Sequence, residues 1–128
     1  MEQTAIGVKG LLFRDGKVLV LIKSDGEPDL PGGRIEAGES LEDGLHREIK
    51  EETGLNVLIL RPNSEWSFVK GPAQRVIGMT FDCRYLSGNL KLSPEHSGHR
   101  WANPSELGNI NFKRPFLGGK GDDYSNRA

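Results

Sequence analysis

Three glutamates near the middle of the chain, Glu48, Glu51 and Glu52, have the spacing to act together. On an α-helix, positions i, i+3 and i+4 are neighbours, so like charges there repel one another. These acids also fall in the last turns of the predicted helix, where the helix dipole disfavours negative charge by roughly 0.3 to 1 kcal/mol each. A bound divalent cation would remove both penalties. A solvent-exposed acidic face bridged by Arg47 or Lys50 is the alternative.

An apolar stripe on the same helix bears on where these acids point. The stripe recurs every four residues and must face the core; its members are Leu41, Leu45 and Ile49. At about 100° per residue, Glu48 and Glu52 project inside the stripe and Glu51 projects onto its flank. Three acids turned at least partly inward are an unusual feature, and a bound cation would explain it.

Signals at both ends place this helix at Leu41 to Thr53. Ser40 offers an N-cap oxygen, and the acids of the first turn suit the positive end of the helix dipole. Gly54 suits the position that ends a helix. Gly44 is unusual inside a helix, because glycine there costs up to about 1 kcal/mol relative to alanine. We expect Gly44 to permit a close contact of the helix.

The rest of the chain is read mainly as strands and turns. Thr4 to Phe13 and Lys17 to Lys23 are apolar runs joined through an Asp-Gly pair, which predicts an antiparallel hairpin. Ser24 to Gly33 is rich in glycine and proline and reads as a loop. Further strands are predicted at Val57 to Arg61, Trp66 to Val69, Val76 to Leu86 and around Arg100 and Trp101, and a second helix is predicted from Asn103 to Leu107.

One segment of the chain resembles the Nudix box. It reads Gly33, five residues, Glu39, seven residues and then Arg-Glu-Ile-Lys-Glu-Glu-Thr-Gly-Leu from Arg47 to Leu55. Every fixed position of the motif is present. The resemblance implies the Nudix fold class, an α/β/α sandwich with a mixed, largely antiparallel sheet between the box helix and a smaller C-terminal helix.

The same resemblance implies a metal site. In the family, the Arg-Glu-x-x-Glu-Glu segment supplies ligands for divalent metal, usually Mg²⁺, with Mn²⁺ as a substitute. Those positions are Glu48, Glu51 and Glu52 here, and a backbone carbonyl at Gly33 is expected to complete the shell. Magnesium prefers octahedral oxygen ligation, keeps several waters and is commonly held by carboxylates together with substrate phosphates, which fits this set.

Other roles carried over from the family concern support and proton transfer. The bracing arginine and first glutamate of the box correspond to Arg47 and Glu39. Clustered carboxylates beside a metal titrate as a coupled set, so the sequence alone does not determine which glutamate is the general base. Glu48 is our first choice for the base and Glu95, before a late strand, is the second. Glu51 and Glu52 complete the candidate catalytic set.

The reaction implied by the resemblance is attack of water on a phosphorus atom of a nucleoside diphosphate linked to another group. We expect a nucleotide pyrophosphohydrolase that acts on nucleoside triphosphates. Dinucleoside polyphosphates, ADP-ribose and capped RNA ends are alternatives within that class. A Nudix-fold sensor that binds a nucleotide without hydrolysing it is an alternative of another class. Such sensors commonly carry a degraded box, whereas this box is intact.

Several residues outside the box are weaker candidates. Trp66 and Phe68 share one strand face and could stack a base, although core packing is the more ordinary role of such aromatics. Arg75 could meet a phosphate, although exposed basic residues are the default. His96 and His99 would need another partner to bind zinc. We therefore expect a loop near the active site in that region.

Composition limits the remaining options. With 17 basic and 18 acidic residues, the chain reads as a soluble protein for which polymeric nucleic acid is not the main partner. We expect one domain over residues 1–117, a loose tail over 118–128, and a monomer or a homodimer. The single cysteine, Cys83, suits a buried strand position and a reducing compartment. No leader or membrane span is visible, so we expect a cytoplasmic protein.

Overall fold

The computed structural model describes residues 3–118 of the chain. The predicted tail at 118–128 therefore lies, apart from its first residue, outside the described residues. The elements in chain order are β1 (Gln3–Arg14), β2 (Lys17–Lys23), β3 (Pro28–Asp29), β4 (Gly32–Arg34), α1 (Leu41–Thr53), β5 (Asn56–Val69), β6 (Gln74–Ser87), β7 (His96–Ala102) and a 3₁₀ helix at Pro104–Asn109.

One mixed sheet holds all seven strands of the described chain, and β1 is its centre. β1 pairs in parallel with β6, which pairs antiparallel with β5. On its other side β1 pairs antiparallel with β4 near its start and with β2 near its end. β2 in turn pairs antiparallel with both β3 and β7. The predicted mixed and largely antiparallel sheet is confirmed.

Two hydrophobic cores cover the two faces of this sheet. Alternation along β1 separates them, since side chains of successive strand residues point to opposite faces. Val8 and Leu12 join the core packed against Leu45 and Ile49 of α1. The opposite face packs against the chain that follows β7; this second core includes Leu11, Phe13, Trp66, Leu107 and Phe116. The sheet is thus a middle layer. One of its faces is covered by the regular helix α1 and the other by the less regular chain after β7.

The helix prediction is confirmed at both ends. Ser40 caps α1 by accepting a hydrogen bond from the Asp43 N–H, and Gly54 ends it in the left-handed conformation at φ 75°. Gly44 faces Ile35, and a Cβ on residue 44 would overlap the Ile35 side chain. The expected close contact exists, and it joins α1 to the loop after β4.

Some boundaries differ from the sequence-based predictions. The segment 24–33 is not all loop, because β3 and β4 form there by pairing with β2 and β1. The two strands predicted at 57–61 and 66–69 are one strand, β5, with register shifts on either side of Arg61 and Pro62. Proline is tolerated at such bulges because it needs no ladder hydrogen bond there.

The late region also differs from prediction. The second helix is a six-residue 3₁₀ helix, capped by Asn103 and Glu106. His96 lies in β7 and is buried, which corrects the expected loop. Cys83 is buried in β6 as predicted, and burial together with the nearby Asp82 raises the pKa of its thiol to about 12. Within residues 3–118, no helix has the length and apolar character needed to cross a membrane.

Candidate active site

Two glycines at the start of β4, Gly32 and Gly33, meet the last half of α1. The chain at these two residues is called the Gly32–Gly33 turn. Gly32 has φ 137°, and a Cβ there would overlap the backbone of Val8. At Gly33 a Cβ would lie 2.7 Å from the Glu48 carboxylate. Glycine is therefore required for the close approach of this turn to β1 on one side and to an acid of the helix on the other.

Glu52 is the most enclosed of the three acids. Its residue is 6% exposed, and one carboxylate oxygen accepts a hydrogen bond of 2.8 Å from the Gly32 N–H. Burial raises the pKa of Glu52 to about 8, although the charge of Lys9 and the Gly32 hydrogen bond oppose that rise. An acid held in this way gains most from a nearby cation.

Glu48 and Glu51 lie progressively closer to solvent. The Glu48 side chain is 17% exposed and that of Glu51 is 59% exposed, in agreement with the helix projection. Burial raises the pKa of Glu48, opposed by the hydrogen bond and charge of Arg47 and assisted by the charges of Glu51 and Glu95. Glu95 itself is exposed in the turn before β7. The structure thus brings all four candidate acids to one region.

Arg47 joins the turn to the helix. Its Nε donates to Glu39 Oε2 at 2.7 Å, and its Nη2 donates to Glu39 Oε1 at 3.0 Å. The same guanidinium donates to the Arg34 carbonyl oxygen and to Glu48, both at 3.0 Å. Glu39 also accepts from the Glu36 N–H at 2.8 Å. These contacts are what the predicted bracing role requires.

The donor set fits a hard divalent cation. It consists of carboxylate oxygens, the type of ligand that such cations prefer. Among the described residues, no three His, Cys, Asp or Glu side chains already converge as a metal cage. Instead Arg47 donates to Glu48 and Glu51, and Gly32 donates to Glu52. The buried, weakly compensated Glu52 carboxyl is the feature that favours a cation most.

A cavity of about 250 Å³ opens beside this turn. Gly33 belongs to its wall, together with residues of β1, the end of β2, β3, β5, β6 and the segment after the 3₁₀ helix. Three aromatic rings form one side: Trp66 stacks on Phe68 at 5.9 Å between ring centres, and Phe116 meets Trp66 edge-on at 5.2 Å. The cavity therefore has an aromatic side and reaches Gly33, the residue that lies against Glu48.

The aromatic candidates pack in the second core and also border the cavity. Trp66 is 7% exposed, belongs to the second core and also lines the cavity. Its indole Nε1 donates to Thr80 Oγ1 at 2.9 Å. Phe68 is half-buried and lines the cavity as well. Arg75 is half-buried in β6 and is not among the residues of the cavity wall.

Sequence reasoning missed three residues that the structure brings to this cavity. Lys9 and Asp29 line it, and their side chains form an ion pair of 3.0 Å. Arg114 lies 4.2 Å above the Phe68 ring centre in a cation–π contact. Lys9 could have been noticed as the one charged residue inside the apolar run of β1. Asp29 and Arg114 lie in polar segments where a charged residue is not unusual, so the sequence does not single them out.

The comparisons with known proteins agree with the fold and the box. Residues 1–118 match the model of the NUDIX domain. A nucleoside triphosphatase NudI from Escherichia coli is 32% identical over 124 residues, covering 84% of this chain and 86% of that protein. An ADP-ribose pyrophosphatase from Methanocaldococcus jannaschii is 38% identical over 97 residues, covering 71% of this chain and 57% of that protein.

A solved structure agrees as well. The MutT protein from Methanosarcina mazei Go1 has a TM-score of 0.79 at 28% identity, with 91% of this chain and 88% of that chain covered. The architecture and the box together define the class of Nudix hydrolases. The chain belongs to the NUDIX family and is a Nudix hydrolase.

Proposed function

We propose that this chain is a magnesium-dependent pyrophosphohydrolase that cleaves a phosphoanhydride bond in nucleoside triphosphates. One observation carries the proposal: the Gly32–Gly33 turn touches Glu48 and Glu52 on one side, and Gly33 borders an aromatic cavity on the other. A nucleotide has the same two-part chemistry, with anionic phosphates joined to a flat, stackable base. This geometry suits a substrate whose phosphates lie at the acids and whose base enters the cavity.

Glu48, Glu51 and Glu52 would hold the metal, with the Gly33 carbonyl oxygen as a further ligand. When bound, a divalent cation neutralises phosphate oxygens and lowers the pKa of a water molecule. Arg47 and Glu39 hold α1 and the chain that precedes it in a fixed relative position, since their hydrogen bonds join the two. Trp66 and Phe68 would stack the base, because aromatic faces bind flat rings.

Proton removal from the attacking water needs one carboxylate. Glu48 is our first candidate, because its pKa is raised by burial and a base works best when its pKa approaches the working pH. Glu95 is the second candidate, because it is exposed and close enough for its charge to act on Glu48. A phosphate-binding role for Arg75 stays a prediction to which the cavity adds no support.

Nucleoside triphosphates are proposed as the substrates because of the relatives that this chain resembles. The nucleoside triphosphatase NudI matches along most of both chains, which supports a substrate of that kind. The match to an ADP-ribose pyrophosphatase favours ADP-ribose as the second candidate, although this chain spans only 57% of that protein. The lone buried Cys83 supports the proposed cytoplasmic location, since it needs no oxidising compartment.

The test is a product screen across nucleoside triphosphates, dinucleoside polyphosphates and ADP-ribose, each with Mg²⁺ and with a chelator. We expect pyrophosphate and a nucleoside monophosphate from a triphosphate, in the presence of Mg²⁺ only. Release of AMP and ribose 5-phosphate from ADP-ribose as the dominant reaction would favour the second candidate. Tight nucleotide binding without turnover across the panel would contradict an enzymatic function.

A further inference from the structure

Lys9 is an enclosed cation beneath the Gly32–Gly33 turn. Its side chain is 12% exposed, and its Nζ donates to Asp29 Oδ1 at 3.0 Å, to the Leu30 carbonyl oxygen at 2.9 Å and to the Gly32 carbonyl oxygen at 3.3 Å. An ammonium group has three N–H donors, so these three acceptors use all of them. The ammonium also lies 5.0 Å from the ring centre of Phe116. Lys9 is thus fully occupied by the chain itself.

Asp29 fixes the position of the Lys9 ammonium. Its Oδ1 also accepts from its own neighbour, the Leu30 N–H, at 2.9 Å. Its Oδ2 lies 3.1 Å from Nε2 of His96, whose side chain is 2% exposed. Because Asp29 is in β3 and His96 is in β7, and both strands pair with β2, the sheet holds this carboxylate from two sides.

The turn held by Lys9 is the one that meets the acids of α1. Gly32 accepts from Lys9 through its carbonyl and donates its N–H to Glu52. The next residue, Gly33, lies against the Glu48 carboxylate. Lys9 is directly opposite Gly32 in the β1–β4 register, so a shift of its side chain would act on both contacts at short range.

We propose that Lys9 is a positioning residue of the candidate metal site, held by Asp29 and His96. It fixes the Leu30 and Gly32 carbonyls, and hence the orientation of the Gly33 peptide toward Glu48 and Glu52. This inference depends on the proposed function only for the statement that a divalent cation binds there.

If Lys9 acted only through its charge, its removal would change the metal affinity in the direction opposite to that expected from a positioning role. Removing a positive charge near carboxylates should strengthen cation binding. Loss of a group that orients the ligands should weaken it, typically by about 10- to 100-fold for groups that support metal ligands. The sign of the change in metal affinity therefore separates positioning from a mere effect of charge.

The experiment titrates Mn²⁺ alone into the metal-free full chain by calorimetry, with Lys9→Met and Lys70→Met compared with the unchanged protein. Lys70 also lines the cavity but is exposed, so it is a control for the loss of one charge. We expect Lys9→Met to weaken Mn²⁺ binding by about 10-fold or more and Lys70→Met to change it less than about twofold. Unchanged or tighter binding in Lys9→Met would overturn the proposal.

A second measurement does not need metal. Hydrogen exchange of the Gly32 amide, followed by NMR, should be faster in Lys9→Met than in Lys70→Met, because the turn loses its anchor. Equal Gly32 exchange rates would also contradict the proposal. Where Lys9→Met does not fold, Asp29→Asn is judged by the Gly32 amide exchange alone, because the loss of its negative charge would weaken Mn²⁺ binding by itself. An unchanged Gly32 exchange rate in Asp29→Asn would count against the proposal.

The outcomes keep this inference separate from the proposed function. Normal nucleotide hydrolysis with an unchanged Mn²⁺ affinity in Lys9→Met would reject the positioning role alone. Absence of hydrolysis by the unchanged protein, together with weakened Mn²⁺ binding in Lys9→Met, would reject the proposed activity alone.

Discussion

At the scale of single residues, the candidate site depends on close contacts between backbone and carboxylates. Gly33 leaves the space that the Glu48 carboxylate fills, and the Gly32 N–H holds Glu52. Both acids are turned inward, as the four-residue apolar repeat of α1 predicted. A small change at Gly33, where an added Cβ would first meet the Glu48 side chain, should therefore disturb ligand geometry before it disturbs the fold.

Gly33→Ala tests this contact. Its Cβ would lie 2.7 Å from the Glu48 carboxylate, so the acid must move. We expect kcat/KM to fall by about 100-fold, the effect of misplacing a catalytic group by about an ångström. The loss of stability should be only about 1 kcal/mol, as for a typical point change.

Steady-state kinetics and urea unfolding provide the two values for Gly33→Ala. Gly98→Ala is a matched control, because a Cβ there meets nothing nearer than 3.9 Å. Similar kinetic losses in the two variants would contradict the proposed contact.

Asp29 gives the molecule a defined response to acid. Burial alone would raise its pKa, but the charge of Lys9 and the hydrogen bonds from His96 and Lys9 outweigh it and hold the pKa below the usual value of an aspartate. A group whose pKa is lowered by folding adds stability that is present above its unfolded pKa and lost as the pH falls through its folded pKa. As the pH falls from the unfolded pKa of Asp29 through its folded pKa, the free energy of unfolding should thus decrease more steeply for the unchanged protein than for Asp29→Asn. Urea unfolding between pH 2 and 6 measures both slopes, and parallel curves would show that Asp29 is not responsible.

At the scale of elements, regular local patterns were predictable and pairing between distant segments was not. The limits of α1 follow from its cap, its apolar repeat and its terminal glycine, all of which are local. β3 and β4 have two and three residues, and they exist because β1 and β2 offer partners. β5 looked like two strands because Pro62 interrupts the pattern, whereas pairing with β6 carries the strand past a bulge.

The candidate site divides in the same way. The box residues Glu39, Arg47, Glu48, Glu51 and Glu52 could be found in the sequence because their spacing is fixed along one helix and its preceding turn. The contact among Lys9, Asp29 and His96 could not be predicted, because these residues meet only when β1, β3 and β7 assemble around β2. Their contact depends on the sheet order, which no short motif encodes.

A pair of glycines in neighbouring strands lets the Trp66 ring approach the sheet closely beside the cavity. Gly7 and Gly78 are paired in the β1–β6 register, and a Cβ on residue 78 would overlap the indole ring. Gly78→Ala should therefore displace Trp66 and destabilise the protein by about 1 to 3 kcal/mol, the usual cost of overpacking. We expect KM for the nucleotide to rise more than kcat falls, because the base would lose its stacking surface. An unchanged KM together with unchanged tryptophan fluorescence would contradict this role for Trp66.

At the scale of the whole molecule, one sheet separates two hydrophobic cores of the described chain, one beneath α1 and one that includes Phe116. Cys83 lies in the core beneath α1 and is fully buried. It is the single cysteine of the chain, so a thiol reagent reports on one place. Opening of this core should require global unfolding, since α1, β1 and β6 all contribute to it.

Cys83 should accordingly be unreactive in the native protein. Burial raises the pKa of its thiol to about 12, so almost no thiolate exists at neutral pH. With a stability of at least about 5 kcal/mol, labelling in native buffer should be at least ~1,000-fold slower than in urea. Labelling by a disulfide reagent, followed by absorbance, measures both rates. Rapid native labelling would show that the core beneath α1 opens locally.

The central claim is that the inward-turned acids of α1 hold a divalent cation for hydrolysis. Its most direct test is a Mg²⁺ titration of pyrophosphate release from a nucleoside triphosphate by Glu52→Gln and by Glu42→Gln, an exposed acid in the first turn of α1. We predict that Glu52→Gln loses about 100-fold or more of the rate and needs much more Mg²⁺, whereas Glu42→Gln follows the unchanged protein. A normal rate and a normal Mg²⁺ requirement in Glu52→Gln would contradict the claim.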